Sequence, residues 1–506
     1  MIENLTKQEF HNKLNKELQL HSSHIQNMLK NYSAIDLFPK WHSLVQSLEE
    51  FINLIFFGNF TDKEKKLVES TSITFPPDFD RLMSISNIIG SKYKSKTRDR
   101  FFQFTIQTIA ISHSFKITDN GIEEFNKIKT LLDVANYYQK RRRYFVTLLY
   151  LIPKHSQGNN IAEKSDLLNI FLPIIELNCV SLTTINQQRV LSKIFNDYQA
   201  KSDGQKLEGN YTFQPLERFS NEPERLSIFD QVLHRNNQIE QFNWIDLDRD
   251  KIFSKKELLH SIQLIEKAYA LYKIDETDFK IFSRFINEIV ESISDDYFFT
   301  ITKSNLEDFI SFYSIKNQKL LKNQLFQTED DYWVNLNSFH PFIELEDKYY
   351  TNVNLLMRFL YYFKNFILNK KKKFQIHAGF VFEDMIKKIL ENYNFQITDI
   401  TRINQKEFDV VTIRDKTIYN FQCKNNAIDL TLIESDQEKF IRYNKYLIRS
   451  LQRALKKEYD REKLLIDKLK INKIEHFVIT RFPILNSEER IISFNEIESW
   501  LESNFA

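Results

Sequence analysis

Apolar and polar residues over the first 200 positions alternate at three- and four-residue spacing, the pattern of helices that bury one face. Such runs cover Lys7 to Asn31, Trp41 to Phe57, Arg98 to Ser112, Gly121 to Ile152 and Asn186 to Ala200, with joints such as Thr74 to Asp80 (TFPPDFD) between them. The pattern predicts a helical domain over 1–200. Lys201 to Leu226 holds Gly204, Gly209, Pro215 and Pro223 among polar residues and predicts a linker or long loop over 201–226. Helical spacing returns over 227–326. Tyr332 to Asn352 then alternates with period two around a turn at Glu346-Asp347-Lys348, and Asn354 to Asn369 is helical again. Residues 327–372 therefore read as a β-hairpin and a bridging helix.

Over 373–506 helix and strand patterns mix. From Phe382 the apolar residues fall at Phe382, Met385, Ile386, Ile389, Leu390 and Tyr393, one helical face, with Glu383 in the first turn and Lys387, Lys388 and Glu391 turned outward. Phe395 to Ile403, Glu407 to Arg414 and Thr417 to Lys424 alternate with period two and predict strands. In the third of these Tyr419, Phe421 and Cys423 face one way and Asn420, Gln422 and Lys424 the other. A two-residue turn at Asp415-Lys416 sets Asp409 opposite Gln422, roughly 5 Å away between Cβ atoms. An acid, an amide and an ammonium then meet at one point. A long helix, strands at Glu475 to Thr480 and Glu489 to Phe494, and a helix through Trp500 and Leu501 complete the pattern. On the long helix Phe440, Leu447, Leu451 and Leu455 line one side. Arg442, Lys445, Arg449, Arg453 and Lys456 line another, facing either phosphate or water.

Composition removes several classes of function. Only seven glycines occur and Gly379 is the only one after Gly209, so neither GxxxxGK[ST] nor GxGxxG can be written, and nucleotide sites built on those loops are excluded. Two cysteines, Cys179 and Cys423, exclude a disulfide framework and a cysteine zinc cluster. The start lacks a basic segment followed by an apolar core and the apolar runs are too short for a bilayer, so a cytoplasmic protein without membrane contact is expected. Net charge is +2, which confines any nucleic-acid contact to local patches. Asp246 to Glu257 imitates a calcium loop but has Lys251 where the sharp turn needs Gly, and Ser254 with Glu257 writes a helix capping box instead. Lys140 to Tyr144 (KRRRY) points its arginines three ways and reads as a solvated face.

Glu383 on a helix after Gly379, Asp409 in FDVV and Gln422-Cys423-Lys424 in NFQCK together resemble the PD-(D/E)XK nuclease superfamily, in particular its Mrr-like restriction endonuclease branch with a Q-x-K ending. The resemblance covers about the last quarter of the chain. It implies a mainly α N-terminal region followed by a C-terminal α/β restriction-endonuclease-like domain, a central mixed sheet flanked by helices. It also implies a metal-dependent endonuclease acting on DNA in preference to RNA, with Mg²⁺ or Mn²⁺ as cofactor. Asp409, the Gln422 side-chain oxygen, the Cys423 backbone carbonyl and Glu383 would be the metal ligands, and Lys424 would activate the attacking water. Arg442, Lys445, Arg449 and Arg453 would touch nucleic acid. Gln422 departs from the second acid that most of the superfamily carries, which leaves one ligand charge fewer. A prokaryotic restriction or anti-phage effector fits, with the helical region as sensor or specificity module and a homo-oligomer or a defence-system protein as partner. The alternative is a catalytically inactive nuclease-like protein that binds nucleic acid or serves as a scaffold.

Overall fold

The computed structural model describes residues 3–117, 128–163, 167, 185–202, 207–213, 216, 250–271, 277–292, 297–312, 315–336, 338–361, 371–426, 432 and 436–505. Most of the linker expected over 201–226, the acids Asp246 and Asp248, Cys179 and the second half of the bridging helix lie outside them. The chain is mainly helical, with a mixed five-stranded sheet in its C-terminal region. It forms two compact units that do not follow chain order. One comprises Lys16–Thr184 and Phe242–Tyr362, the other Met1–Asn15, Ile185–Gln241 and Phe363–Ala506. This division cuts across the blocks expected at 1–200 and 227–326.

In the first unit the helices Ala34–Phe57 and Leu131–His155 pack against each other. The former buries Leu37, Trp41, Leu44, Leu48, Phe51 and Ile55, a stripe at helical spacing, and Trp41 donates through Nε1 to the Phe145 carbonyl at 2.9 Å. Thr130 begins the latter with a reciprocal capping box to Asp133. The arginine run lies on this helix and is a solvated face only in part, since Arg142 is exposed and Arg143 half-buried. Arg141 is buried, Arg142 pairs with the buried Glu49 at 3.6 Å, and Arg143 donates to the Tyr144 hydroxyl at 3.1 Å. The cause is that Phe145, Val146, Leu148, Leu149 and Leu151 are buried on several sides of the helix, which draws Arg141 inside the unit. Glu50, also buried, takes two hydrogen bonds from Arg100 at 2.7 and 2.6 Å.

The β-pattern expected from Tyr332 begins later. Tyr332–Leu336 is a helical turn, because the Asp331 side chain accepts from the amides of Trp333 and Val334 at 2.8 and 3.0 Å and caps it. Ile343–Leu345 and Lys348–Asn352 do form the hairpin, and Phe298–Thr302 adds a third strand on its far side. Ile343, Leu345 and Leu355 are buried in this unit's own core. Near the calcium-like segment Ser254 caps the helix Lys255–Leu271 by accepting from the Lys256 amide at 3.2 Å, one position earlier than a capping box.

The second unit is ordered by a sheet. In chain order the strands of that sheet and the helices beside them are α1 (Lys372–Asn392), β1 (Gln396–Ile397), β2 (Val410–Arg414), β3 (Thr417–Lys424), α2 (Gln437–Tyr459), α3 (Glu462–Leu469), β4 (Lys473–Thr480), β5 (Ile491–Ser493) and α4 (Ile497–Phe505). The strands lie in the order β5-β4-β3-β2-β1, antiparallel at β1-β2-β3 and parallel at β3-β4-β5. Two helices carry the chain from β3 to the parallel β4, as a parallel pair requires. Tyr419 and Phe421 meet Phe395, Phe505 and Trp500 on one face. On the other face Val478 shares a core with Phe440, Leu447, Leu451 and Leu455 of α2. Val190, Leu191, Ile194 and Phe195, within the helical run 185–194 and just after it, belong to that same core, and Glu3–Leu5 pairs with Ala200–Ser202. The apolar side of α2 is wider than the sheet covers, so an early stretch of chain completes the burial.

Candidate functional site

The hairpin β2-β3 decides where the candidate residues go. Its turn is Asp415-Lys416, with φ of 50° and 58°, the two left-handed positions of a type I′ connection. This turn, favoured by strand twist, forms although neither residue is Gly or Asn. The pairing Val410↔Phe421 through Arg414↔Thr417 follows, and one step further it sets Asp409 across from Gln422. Asp409 is not itself in the strand, which begins at Val410 and not at Glu407. Its side chain does the pairing: Oδ2 accepts from the Cys423 backbone N–H at 2.7 Å and from the Gln422 side-chain amide.

Oδ1 of Asp409 accepts no hydrogen bond among the described residues, so one oxygen of this carboxylate is held and the other is open. Burial, the largest effect, raises the Asp409 carboxyl above its ordinary value; the Cys423 N–H, Lys424 and Arg461 oppose it and Glu458 adds to it. The thiol of the half-buried Cys423 is likewise pushed well up, by desolvation first, then by Asp409 and Glu383, while Lys424 and Lys387 pull it down. Glu383, Asp409, Lys424 and Lys387 are thus all near enough to act electrostatically on this thiol.

Glu383 lies on α1, and not in a first turn as expected. The helix starts at Lys372 and carries Glu383 in its middle, because Phe374 and Ala378 extend the buried stripe upstream and Gly379 interrupts it at a cost of only about 1 kcal/mol. Lys387, expected to face outward, is half-buried beside the same group of charges. The C-terminal end of β3 is fixed from two directions. Arg481 donates its backbone N–H to the Lys424 carbonyl at 2.9 Å and its guanidinium to Asn425 at 2.8 Å, while Asn425 donates to the Gln375 carbonyl of α1 at 3.2 Å. Among the described residues, no three His, Cys, Asp or Glu side chains gather as a ready-made metal cage.

A further set of residues was not singled out from sequence. Glu458, 1% exposed, accepts from Arg461 Nε at 2.9 Å and from Asn420 Nδ2 at 2.8 Å, and makes an ion pair with the Arg461 Nη2 group. Arg461 lies over the Phe408 ring at 4.5 Å and donates through Nη2 to the Gln422 side-chain oxygen at 3.3 Å. Asn420 also donates to His476 Nδ1 at 3.1 Å, which leaves the proton of a neutral ring on Nε2, facing Glu462 at 3.4 Å. Burial lowers the His476 value, with Glu462 opposing. The available signal was Asn420, which shares a face of β3 with Gln422, together with a Glu-to-Arg spacing of three from the last turn of α2 into the residues after it.

On α2 the cationic stripe lies apart from the buried side, as the spacing predicts. Arg442, Arg449, Arg453 and Lys456 are exposed, Lys445 is half-buried, and none of the five makes an ion pair among the described residues. Arg449 donates to the Lys445 carbonyl at 3.2 Å, and Tyr443 and Tyr446 stack beside them with ring centres 6.2 Å apart.

No described helix is long and apolar enough to cross a membrane. Compared with protein-family models, curated proteins and solved structures, the chain matches none.

Proposed function

We propose that the sheet-centred unit is a PD-(D/E)XK-like nuclease domain and that the protein hydrolyses phosphodiester bonds of DNA in a metal-dependent reaction. The observation that carries the reading is the placement of Asp409 across from Gln422 and Cys423, beside Lys424 at the C-terminal end of β3, with one carboxylate oxygen held by Cys423 N–H and Gln422 and Glu383 near enough on α1 to bear on Cys423. An acid and an ammonium at a strand entry and a strand end, with a second acid supplied by the neighbouring helix, would suit phosphodiester hydrolysis, which needs an activated water and compensation of developing negative charge.

The donor chemistry fits a hard divalent cation that takes oxygen ligands, because the carboxylate of Asp409 presents one oxygen that no neighbouring group uses. Asp409 and Glu383 would hold Mg²⁺ or Mn²⁺, with the Cys423 carbonyl beside them. The ion supplies Lewis acidity and a water of lowered pKa. Lys424 would orient the attacking water and stabilise charge on the phosphate oxygens. Glu383 accepts a hydrogen bond from the water and fixes its direction. The exposed cations of α2 hold the phosphate backbone in register with the site. A restriction or anti-phage role, with the helical unit as sensor, is the biological setting proposed.

A second reading, a nuclease-like domain that binds nucleic acid without cutting it, is favoured by one feature: Gln422 supplies no second strand carboxylate. One experiment separates the two. Purified protein is incubated with plasmid, linear duplex, single-stranded DNA and RNA in Mg²⁺, Mn²⁺ or EDTA. DNA cleavage that EDTA abolishes supports the first reading. Binding without cleavage in either metal supports the second.

A further inference from the structure

The Gln422 amide stands between a pure acceptor and a pure donor. Its nitrogen donates to Asp409 Oδ2, and its oxygen accepts from Arg461 Nη2 at 3.3 Å. Turning the amide over would set its oxygen against a carboxylate and its NH₂ against a guanidinium, exchanging two hydrogen bonds for two repulsive contacts. Arg461 cannot easily yield. Its Nε donates to Glu458 at 2.9 Å, Glu458 is 1% exposed and also takes Asn420 at 2.8 Å, and the guanidinium is stacked on Phe408 at 4.5 Å. The charges on both sides of Gln422 thus fix which way it points.

We infer that Gln422 is a positioning residue for Asp409 and not a metal ligand, and that Arg461, anchored by Glu458, sets its orientation. The inference rests on the nuclease reading and refines it. The Gln422 nitrogen and the Cys423 N–H together hold Oδ2, so Oδ1 is the oxygen left for a metal. The oxygen of Gln422, which the family pattern would assign to the metal, is engaged by Arg461. A residue that touches neither metal nor substrate then controls metal affinity, because hydrogen-bond partners behind a ligand hold it in its binding geometry.

Arg461→Met separates the two roles by sign. If Gln422 positions Asp409, the variant loses the contact that fixes the amide, and Mn²⁺ affinity measured by titration calorimetry falls roughly tenfold. Arg461→Lys, which keeps a donor and a charge, recovers part of that loss. If the Gln422 oxygen were a ligand, removing a competing cation would tighten Mn²⁺ binding, and tighter or unchanged affinity in Arg461→Met overturns the inference. Thermal unfolding of each variant checks that the domain is intact. Should Arg461→Met fail to fold, a crystal structure of the wild-type protein with Mn²⁺ decides the matter. Mn²⁺ at Asp409 Oδ1 with the Gln422 nitrogen still on Oδ2 upholds the inference, whereas Gln422 oxygen about 2.2 Å from the metal overturns it. Wild-type protein that binds Mn²⁺ in this way without cutting DNA would sink the nuclease reading while leaving the positioning role standing. Protein that binds no Mn²⁺ at all would sink both.

Discussion

Replacing Glu458 by alanine should damage the sheet unit more than any single surface change. The carboxylate is almost wholly buried and is the shared acceptor for Arg461 and Asn420. Its removal leaves Arg461, whose side chain is only 18% exposed, without its counter-charge. Breaking a buried pair from one side costs about 3–5 kcal/mol, because the remaining charge stays desolvated. For a unit of this size that corresponds to a fall of roughly 6–20 °C in the unfolding temperature. Glu458→Gln, which keeps the shape and one oxygen for Asn420, should fall between the two. The assay is thermal and urea unfolding, with hydrogen exchange followed on peptides of β3 to assign the loss to this unit. If Glu458→Ala stays within about 1 kcal/mol of the wild-type protein, well below the range for a broken buried pair, the pair does not hold the site's floor and the argument is wrong.

Three further outcomes follow from particular contacts. Burial raises the Asp409 carboxyl, so its ionised form opposes folding: the penalty is absent below the unfolded value near pH ~4 and grows as pH rises through the folded value. Metal-free Asp409→Asn should therefore be more stable than wild type at pH 7 in urea unfolding, the gap closing toward pH ~4 while Mn²⁺ binding is lost. Gly379→Ala should stabilise the protein by about 0.5–1 kcal/mol, since a Cβ there meets no atom within 4 Å and the helix gains a better former; a lower unfolding temperature would contradict this. Changing Arg442, Arg449 and Arg453 to Gln should weaken duplex binding and reduce the slope of log K against log salt by about 0.9 for each residue that contacts phosphate, with unfolding unchanged.

The patterning made the helical face of Phe440, Leu447, Leu451 and Leu455 legible, because period and burial coincide there. It also gave the register that brings Asp409 to Gln422, since a two-residue hairpin leaves little freedom once both strands are recognised. Three things were not legible, each for a physical reason. Tertiary burial extended α1 through Gly379, overriding a local helix-weakening residue. Long-range packing drew Val190 to Phe195 into the core under α2, which no local window can report. Arg461 and Glu458 act through contacts across α2, the following turn and β3, and their spacing alone looks like an ordinary surface pair. The arginine run at 141–143 was legible only in part for a related reason: Arg142 is exposed, but the helix is buried on several sides and takes Arg141 in, and charge composition carries no record of that.

The claim at the centre of the account is that Asp409 and Lys424 serve one metal-dependent phosphodiester cleavage. Its most direct test is the initial rate of plasmid nicking in Mg²⁺ for the wild-type protein, Asp409→Ala and Lys424→Ala, each compared with EDTA. The account predicts cleavage by the wild-type protein that EDTA abolishes and a loss of roughly 10²-fold or more in Lys424→Ala, the scale of removing one charge-stabilising donor. Asp409→Ala should show no cleavage above the EDTA level. Nicking that persists undiminished in both variants would contradict it.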